Sequence, residues 1–240
     1  MKWISMIIAS LLIVSLSSAE EPKKLLKPDS SATTTKKKKI IKKPIWMTQD
    51  KFILETIDGK RISLLSTDKG YLFKDAKDKI AILVVWTRAC KSCARWLEDL
   101  NTIQKKYPGK VKIFGLEISN TEKEKLEKLI KEGKADSKAV KKIIDANHAD
   151  IKKYAKEHHL NFPIVSPLAN KGNLNFALQT LYKYEFDKPR GKAKKGGGLP
   201  FTIVFGYRGE TAGITAGVAP KEAYQSYIQK LIQYYDKKQY

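Results

Sequence analysis

Residues 80–93 read IAILVVWTRACKSC. The first seven are apolar and rich in β-branched side chains, which is the composition of a strand buried on both faces. Two cysteines follow, Cys90 and Cys93, and apolar residues then recur at helical spacing from Ala94 to about Tyr107. Cys90 is therefore predicted to lie where a central strand turns into a helix.

The segments on either side also show strand and helix patterns. Two β-prone runs around Asp58-Gly59 predict a hairpin over residues 52–64. The other predicted elements are a short amphipathic piece at 71–76, strands at 111–118, 162–165, 201–205 and 211–218, and helical segments at 121–160 with a break near Gly133, 174–184 and 220–236. This order predicts an α/β fold of three layers, α/β/α, in which a mixed sheet carries helices on both faces.

The N-terminal fifth of the chain has a different composition. Lys2 precedes an apolar run at 4–16, and small residues lead to Ala19, which is the pattern of a secretory signal peptide over 1–19. The alternative is an uncleaved inner-membrane anchor, which is less favoured because the apolar run is shorter than the ~20 residues of a membrane-spanning helix. Residues 20–50 are rich in Lys, Ser, Thr and Pro and predict a flexible basic linker. We expect a periplasmic protein with one folded domain over 51–240.

The net charge of the chain is +22, from 47 Lys and Arg against 25 Asp and Glu. Such a balance suits anionic lipid headgroups or nucleic acid. Export removes most nucleic-acid partners, and no aromatic or Gly-framed nucleic-acid motif accompanies the charge. We expect no nucleic-acid partner. Two alternatives stay open for the basic tail: it contacts an anionic membrane surface, or it is a solvated linker without a partner.

The chain has two cysteines, three positions apart. A structural disulfide framework uses more cysteines and closes longer loops, so a redox role is favoured in an oxidising compartment. A zinc site would need two more Cys or His ligands at suitable spacing. The histidines, His148, His158 and His159, lie far along the chain and are expected at the surface or at helix ends. We therefore expect no metal and no cofactor.

Disulfide exchange needs a thiolate nucleophile. At a helix N-terminus, Cys90 would face unpaired backbone N–H groups and the positive end of the helix dipole, which favour the anion. Arg88, Lys91 and Arg95 are expected to add positive charge nearby. Cys93, one turn into the helix, is predicted to be shielded and to act as the resolving thiol. These two cysteines are the candidate catalytic residues.

At this point the sequence resembles the thioredoxin superfamily, in particular the exported TlpA-like branch that includes the cytochrome c maturation reductases. The resemblance covers roughly residues 52–237. Its features are Ile57-Asp58-Gly59-Lys60, Val85-Trp86, the Cys90-Lys91-Ser92-Cys93 motif, Asn161-Phe162-Pro163-Ile164 and Leu199-Pro200-Phe201-Thr202-Ile203-Val204.

The resemblance implies a thioredoxin-like fold and a thiol-disulfide oxidoreductase. It implies that Pro200 is preceded by a cis peptide bond and lies beside the disulfide, and that Leu199, Pro200 and Trp86 bind substrate. The implied activity is the reduction of disulfides in periplasmic proteins such as apocytochrome c. A membrane electron donor would keep the cysteine pair reduced.

The sequence also departs from that family. Val84 stands where thioredoxins carry an acid, Trp96 where many of the cytochrome c reductases carry a glutamate, and Ala89 where a tryptophan is common. Glu98 and Glu117 are candidate substitutes for the missing proton acceptor, although a solvated surface position is expected for each. The segment between the strand at 111–118 and Phe162 is longer than usual, which predicts an inserted helix that shapes partner choice.

Three other interpretations stay open. The first is a disulfide oxidase or isomerase on the same scaffold, because the direction of exchange depends on a reduction potential that the Lys91-Ser92 dipeptide does not set. The second is a peroxidase, because Thr87 lies three residues before Cys90 as in peroxiredoxins, although Leu83 stands where those enzymes place a proline. The third is a non-catalytic thioredoxin-like binding module with incidental cysteines.

Overall fold

A computed structural model describes residues 50–118, 120–181, 183–184 and 198–238. The predicted signal peptide and nearly all of the predicted linker lie outside these residues. The strands are β1 Lys51–Glu55, β2 Arg61–Ser66, β3 Tyr71–Phe73, β4 Ile80–Trp86, β5 Val111–Glu117, β6 Ile164–Val165, β7 Phe201–Phe205 and β8 Thr211–Ala216. The α-helices are α1 Lys91–Lys106, α2 Asn120–Lys131, α3 Ser137–Glu157, α4 Lys171–Leu181 and α5 Lys221–Lys237. None of the described helices is long and apolar enough to cross a membrane.

The central sheet has the strand order β6-β5-β4-β7-β8. β4 lies in its middle, parallel to β5 and antiparallel to β7, and β6 and β8 form the edges. Every residue of β4 is buried, because strands flank it on both sides and other elements cover both of its faces. The prediction of a central strand at 80–86, followed directly by a helix, is confirmed.

The two faces of β4 pack into different layers. Ile82, Val84 and Trp86 point into a core shared with α1, α3 and α5. Ala81, Leu83 and Val85 point to the opposite face, where the covering layer consists of β1, β2, β3 and α4. The side chains alternate because successive residues of a strand face opposite sides of the sheet. The result is three layers, with the cysteine pair on the face that carries α1.

The N-terminal hairpin is confirmed and has a third strand. β1 and β2 pair antiparallel, and Gly59 in the turn between them has a φ of +74°, which glycine adopts at little cost. β3 then pairs with β2, in the segment predicted only as an amphipathic piece. This small sheet covers the central sheet from the side away from the cysteines.

The long helical segment between β5 and β6 consists of α2 and α3, separated near Gly133 as predicted. Asp136 begins α3 as its N-cap, and its side chain accepts a hydrogen bond from the N–H of Ala139 at 2.6 Å. We call α2 and α3 the insert. The strand pattern, the helix after β4 and this insert together confirm the predicted fold class, a thioredoxin-like α/β fold with an N-terminal hairpin and an inserted helical segment.

Candidate active site

The cysteine pair lies at the start of α1 and forms a disulfide. The sulfurs are 2.11 Å apart and the Cα atoms 5.3 Å apart. Cys90 is the N-cap residue with extended backbone, and Cys93 lies in the first turn. Cys90 is partly exposed, whereas Cys93 is fully buried. The predicted contrast between an accessible first sulfur and a shielded second one is therefore present.

The backbone around Cys90 forms a tight turn into the helix. The N–H of Cys90 donates to the carbonyl of Thr87 at 3.1 Å, and the N–H of Cys93 donates to the carbonyl of Cys90 at 3.0 Å. Ser92 Oγ lies 3.4 Å from Cys90 Sγ. The first turn of α1 contains no acidic residue, so no side-chain charge of that turn opposes the positive end of the helix dipole at Cys90.

The predicted cis peptide bond is present between Leu199 and Pro200, directly before β7. Pro200 is buried, and its carbonyl accepts a hydrogen bond from the N–H of Gly217 at 2.8 Å. Leu199 is partly exposed and packs against the cores on both faces of the sheet. Since Phe201 pairs with Val85 in β4, the Leu199-Pro200 turn lies at the same end of the sheet as the start of α1.

Trp86 occupies a different place from the one that the resemblance implied. Its side chain is fully buried, and its ring stacks on that of Tyr154 in α3 with 5.0 Å between centroids. The structure thus places Trp86 in the core instead of on the surface that a protein substrate would contact.

The two positions that carry acids in the proteins that the sequence resembles, Val84 and Trp96, are buried and uncharged here. Val84 lies opposite Thr202 in the β4–β7 ladder. Trp96 is fully buried, its indole N–H donates to Thr202 Oγ1 at 2.8 Å, and its ring packs against Tyr224. This hydrogen bond joins the second turn of α1 to the strand that begins after Pro200.

The structure corrects two expectations about charge near the cysteines. Glu117, expected at the surface, has a side chain that is only 1% exposed at the end of β5, beside Trp86 in the parallel register. Arg88 reaches it, with Nε 3.4 Å from Glu117 Oε1, and also reaches α3, with Nη1 3.2 Å from Asp150 Oδ2. Arg88 is paired with two carboxylates, which weakens the positive charge that it was predicted to add near Cys90. Lys91 is exposed next to Cys90.

Glu98, His158 and His159 lie where they were expected, whereas His148 lies in the middle of α3 instead of at the surface or a helix end. Glu98 is half-exposed, and its Oε1 is 2.8 Å from Nδ1 of His158, the C-cap residue of α3. His159 follows at the same helix end, and His148 is half-buried on α3, where burial lowers its pKa. Within the described residues no group of three or more His, Cys, Asp or Glu could hold a metal ion.

Comparisons with known proteins find similar structures and no sequence relatives. No family model matches the chain, and neither does any curated protein. Among solved structures, StoA from Bacillus subtilis is 19% identical at a TM-score of 0.44, covering 74% of this chain and 95% of its own. A thioredoxin-family thiol:disulfide interchange protein from Chlorobium tepidum is 15% identical at 0.46, covering 76% and 94%. The exposed lipoprotein thioredoxin Etrx1 from Streptococcus pneumoniae is 17% identical at 0.45, covering 75% and 99%.

Proposed function

We propose that this protein is an exported thiol-disulfide oxidoreductase that reduces disulfides of other exported proteins. The observation that carries the proposal is the placement of the cysteine pair at the start of α1, with Cys90 partly exposed and Cys93 buried. An accessible thiolate can attack a partner disulfide, while a buried neighbour is reserved for the second step.

The proposed cycle needs only the two cysteines and the substrate disulfide. The Cys90 thiolate attacks one substrate sulfur, a mixed disulfide forms, and one substrate thiolate leaves. Cys93, as its thiolate, then attacks the Cys90 sulfur, which forms the Cys90–Cys93 disulfide and releases the second substrate thiolate. The substrate loses its disulfide and the protein gains one. We propose that a membrane dithiol donor reduces the pair again.

Several features of the site support Cys90 as the attacking thiolate and the Leu199-Pro200 turn as the substrate contact. The helix N-terminus and the exposed Lys91 favour the thiolate form of Cys90. We propose that Leu199 and Pro200 contact the substrate chain, because the partly exposed Leu199 lies at the same end of the sheet as Cys90. Apocytochrome c is one candidate substrate, on the family resemblance alone.

Trapping of partners tests the proposal directly. The Cys93→Ser variant, expressed with its N-terminal segment, should stall as a mixed disulfide on Cys90 with periplasmic proteins, and these adducts should disappear on reduction. The matched control is Cys90→Ser, which keeps one thiol but lacks the accessible nucleophile. If Cys93→Ser gives no more adducts than Cys90→Ser, the proposal is wrong.

The direction of the reaction is tested separately by the reduction potential of the pair against glutathione. A value near −270 mV, typical of reducing members of this chemistry, supports a reductase, whereas a value near −120 mV supports an oxidase instead. Export is tested by N-terminal sequencing of the mature protein, which should begin at Glu20 if residues 1–19 are a cleaved signal peptide.

A further inference from the structure

Arg88 connects three parts of the molecule at the entrance to α1. It lies in the loop between β4 and α1, two residues before Cys90, and its side chain is 22% exposed. Its guanidinium contacts Glu117 at the end of β5 and Asp150 in the insert. We call these three residues the Arg88 bridge.

The inner half of the bridge is constrained by burial. The Glu117 carboxylate is almost completely buried, and a buried charge is tolerated only with a compensating partner and hydrogen bonds. Arginine suits this task, because its planar guanidinium holds separate N–H groups in a fixed fork toward two carboxylates, whereas the compact ammonium of a lysine has no fixed donor geometry.

The outer half of the bridge belongs to the insert. Asp150 is 61% exposed, so as an isolated surface pair its contact with Arg88 would contribute little to stability. The contact is informative for another reason, because it ties α3 to the 87–90 loop. The hydrogen bond from the Cys90 N–H to the Thr87 carbonyl closes the turn in this loop.

We propose that Arg88 is a positioning residue for Cys90, and that Asp150 makes the insert part of the support of the reacting cysteine. The bridge fixes the 87–90 loop, so that the Cys90 sulfur meets a partner disulfide in one orientation. The consequence for exchange rests on the proposed function, whereas the fixing of the loop does not. Other charges near the loop are Lys91 and Arg95 on α1, the Glu98–His158 pair between α1 and α3, and the Lys221–Asp99 pair between α5 and α1.

The experiment compares Arg88→Lys and Asp150→Asn with Asp145→Asn in the full-length protein. Asp145 is the matched control, because it is a similarly exposed carboxylate on α3 that pairs with Lys141 instead of Arg88. Three quantities are measured. They are amide hydrogen exchange at Cys90 in the oxidised protein, the rate at which the reduced protein reacts with oxidised glutathione, and the pH profile of Cys90 alkylation by iodoacetamide.

We expect Arg88→Lys to raise hydrogen exchange at the Cys90 amide about tenfold and to slow the reaction with oxidised glutathione about tenfold, because loss of orientation penalises attack on a disulfide. Asp150→Asn should change both in the same direction, by about threefold, and Asp145→Asn should change neither. The alkylation profile of Arg88→Lys should stay unchanged, since the positive charge is retained and iodoacetamide needs only a thiolate.

Three results would overturn the inference. The first is hydrogen exchange at Cys90 in Arg88→Lys and Asp150→Asn equal to that in Asp145→Asn. The second is an unchanged rate of reaction of Arg88→Lys with oxidised glutathione while the wild-type protein is active. The third is a shift of the alkylation profile of Arg88→Lys that is large enough to explain its slower reaction. If the wild-type protein does not react with oxidised glutathione at all, the proposed function fails, and hydrogen exchange at Cys90 still decides whether Arg88 fixes the loop.

Discussion

The inner side of α1 and the loop that precedes it differ in how they handle charge. On the inner side, Cys93 and Trp96 are buried in an apolar core with Val84, and the Trp96 indole makes a neutral hydrogen bond to Thr202. In the loop, Arg88 is held between two carboxylates. The difference teaches that the buried carboxylate among the described residues of this region is Glu117 at the end of β5, which Arg88 of the Cys90 loop contacts. Neither Val84 nor Trp96, where the family that the sequence resembles carries acids, supplies one.

The largest effect is expected from Val84→Asp, which places an acid on the inner side of α1. The substitution buries a carboxylate and removes a buried apolar side chain, so we expect a loss of about 4 kcal/mol of unfolding free energy at pH 7. Burial raises the pKa of the new carboxyl above its unfolded value of about 3.9, so the loss should be smallest below pH 4 and grow as the pH rises toward the folded pKa.

Urea unfolding of the oxidised Val84→Asp variant at a series of pH values measures this loss. Val218→Asp is the control, because Val218 is an exposed valine and its substitution should leave stability nearly unchanged at every pH. A loss for Val84→Asp that does not depend on pH would show that the new carboxyl is not buried.

The second prediction removes the charge balance from the loop. Arg88→Met leaves Glu117 buried without its guanidinium partner, and we expect a loss of about 3 kcal/mol of unfolding free energy at pH 7. Adding Glu117→Leu should restore most of it, because an apolar pair of similar volume often replaces a buried ion pair without loss. Urea unfolding measures both variants, with Arg61→Met, at an exposed position of β2, as the control. Absence of any recovery in the double variant would contradict this explanation.

The elements around the cysteines were predictable from local sequence, because the buried strand β4 and the amphipathic α1 each repeat their pattern over many residues. β3 was not predicted as a strand, since three residues are too few to show an alternation. The burial of Glu117 was also missed. Its partner Arg88 lies 29 residues earlier, and Asp150 lies 62 residues beyond Arg88, so no local pattern shows the charges that accompany it.

Contacts between residues distant in sequence also explain why the resemblance misplaced Trp86. Strand patterning predicted its burial as part of β4, whereas the resemblance assigned it to substrate. Tyr154, which stacks on its ring, comes from the insert, a segment longer here than is usual in the family that the sequence resembles. The site is therefore predictable where it depends on neighbouring residues and unpredictable where the insert contributes to it.

The third prediction sharpens the neutral character of the inner side. Trp96→Phe removes the hydrogen bond to the buried Thr202 hydroxyl and some packing volume, and we expect a loss of about 2 kcal/mol of unfolding free energy. Thr202→Val should cost about 1 kcal/mol, and the double variant less than the sum, because neither partner then remains unpaired. A double-mutant cycle by urea unfolding measures this coupling. Strictly additive losses would show that the hydrogen bond contributes nothing.

The smallest expected effect concerns Tyr224, which packs against Trp96 on the same inner side. Its hydroxyl is buried and has no hydrogen-bond partner among the described residues, and burial raises its pKa. Tyr224→Phe removes an unpaired polar group, so we expect a gain of up to about 1 kcal/mol at pH 7. Because burial holds the pKa of folded Tyr224 above that of the unfolded tyrosine, which is about 10, the residue costs the wild-type protein further stability as the pH rises above 10, and Tyr224→Phe removes that cost.

Thermal unfolding at pH 7 and pH 10.5 measures the change for Tyr224→Phe. The variant should unfold at a higher temperature at both values, with the larger difference at pH 10.5. The control is Tyr234→Phe, at an exposed position of the same helix, which should follow the wild-type protein. A lower unfolding temperature for Tyr224→Phe would mean that its hydroxyl is satisfied in solution, and the inner side of α1 would then contain a polar interaction that its neutral surroundings do not suggest.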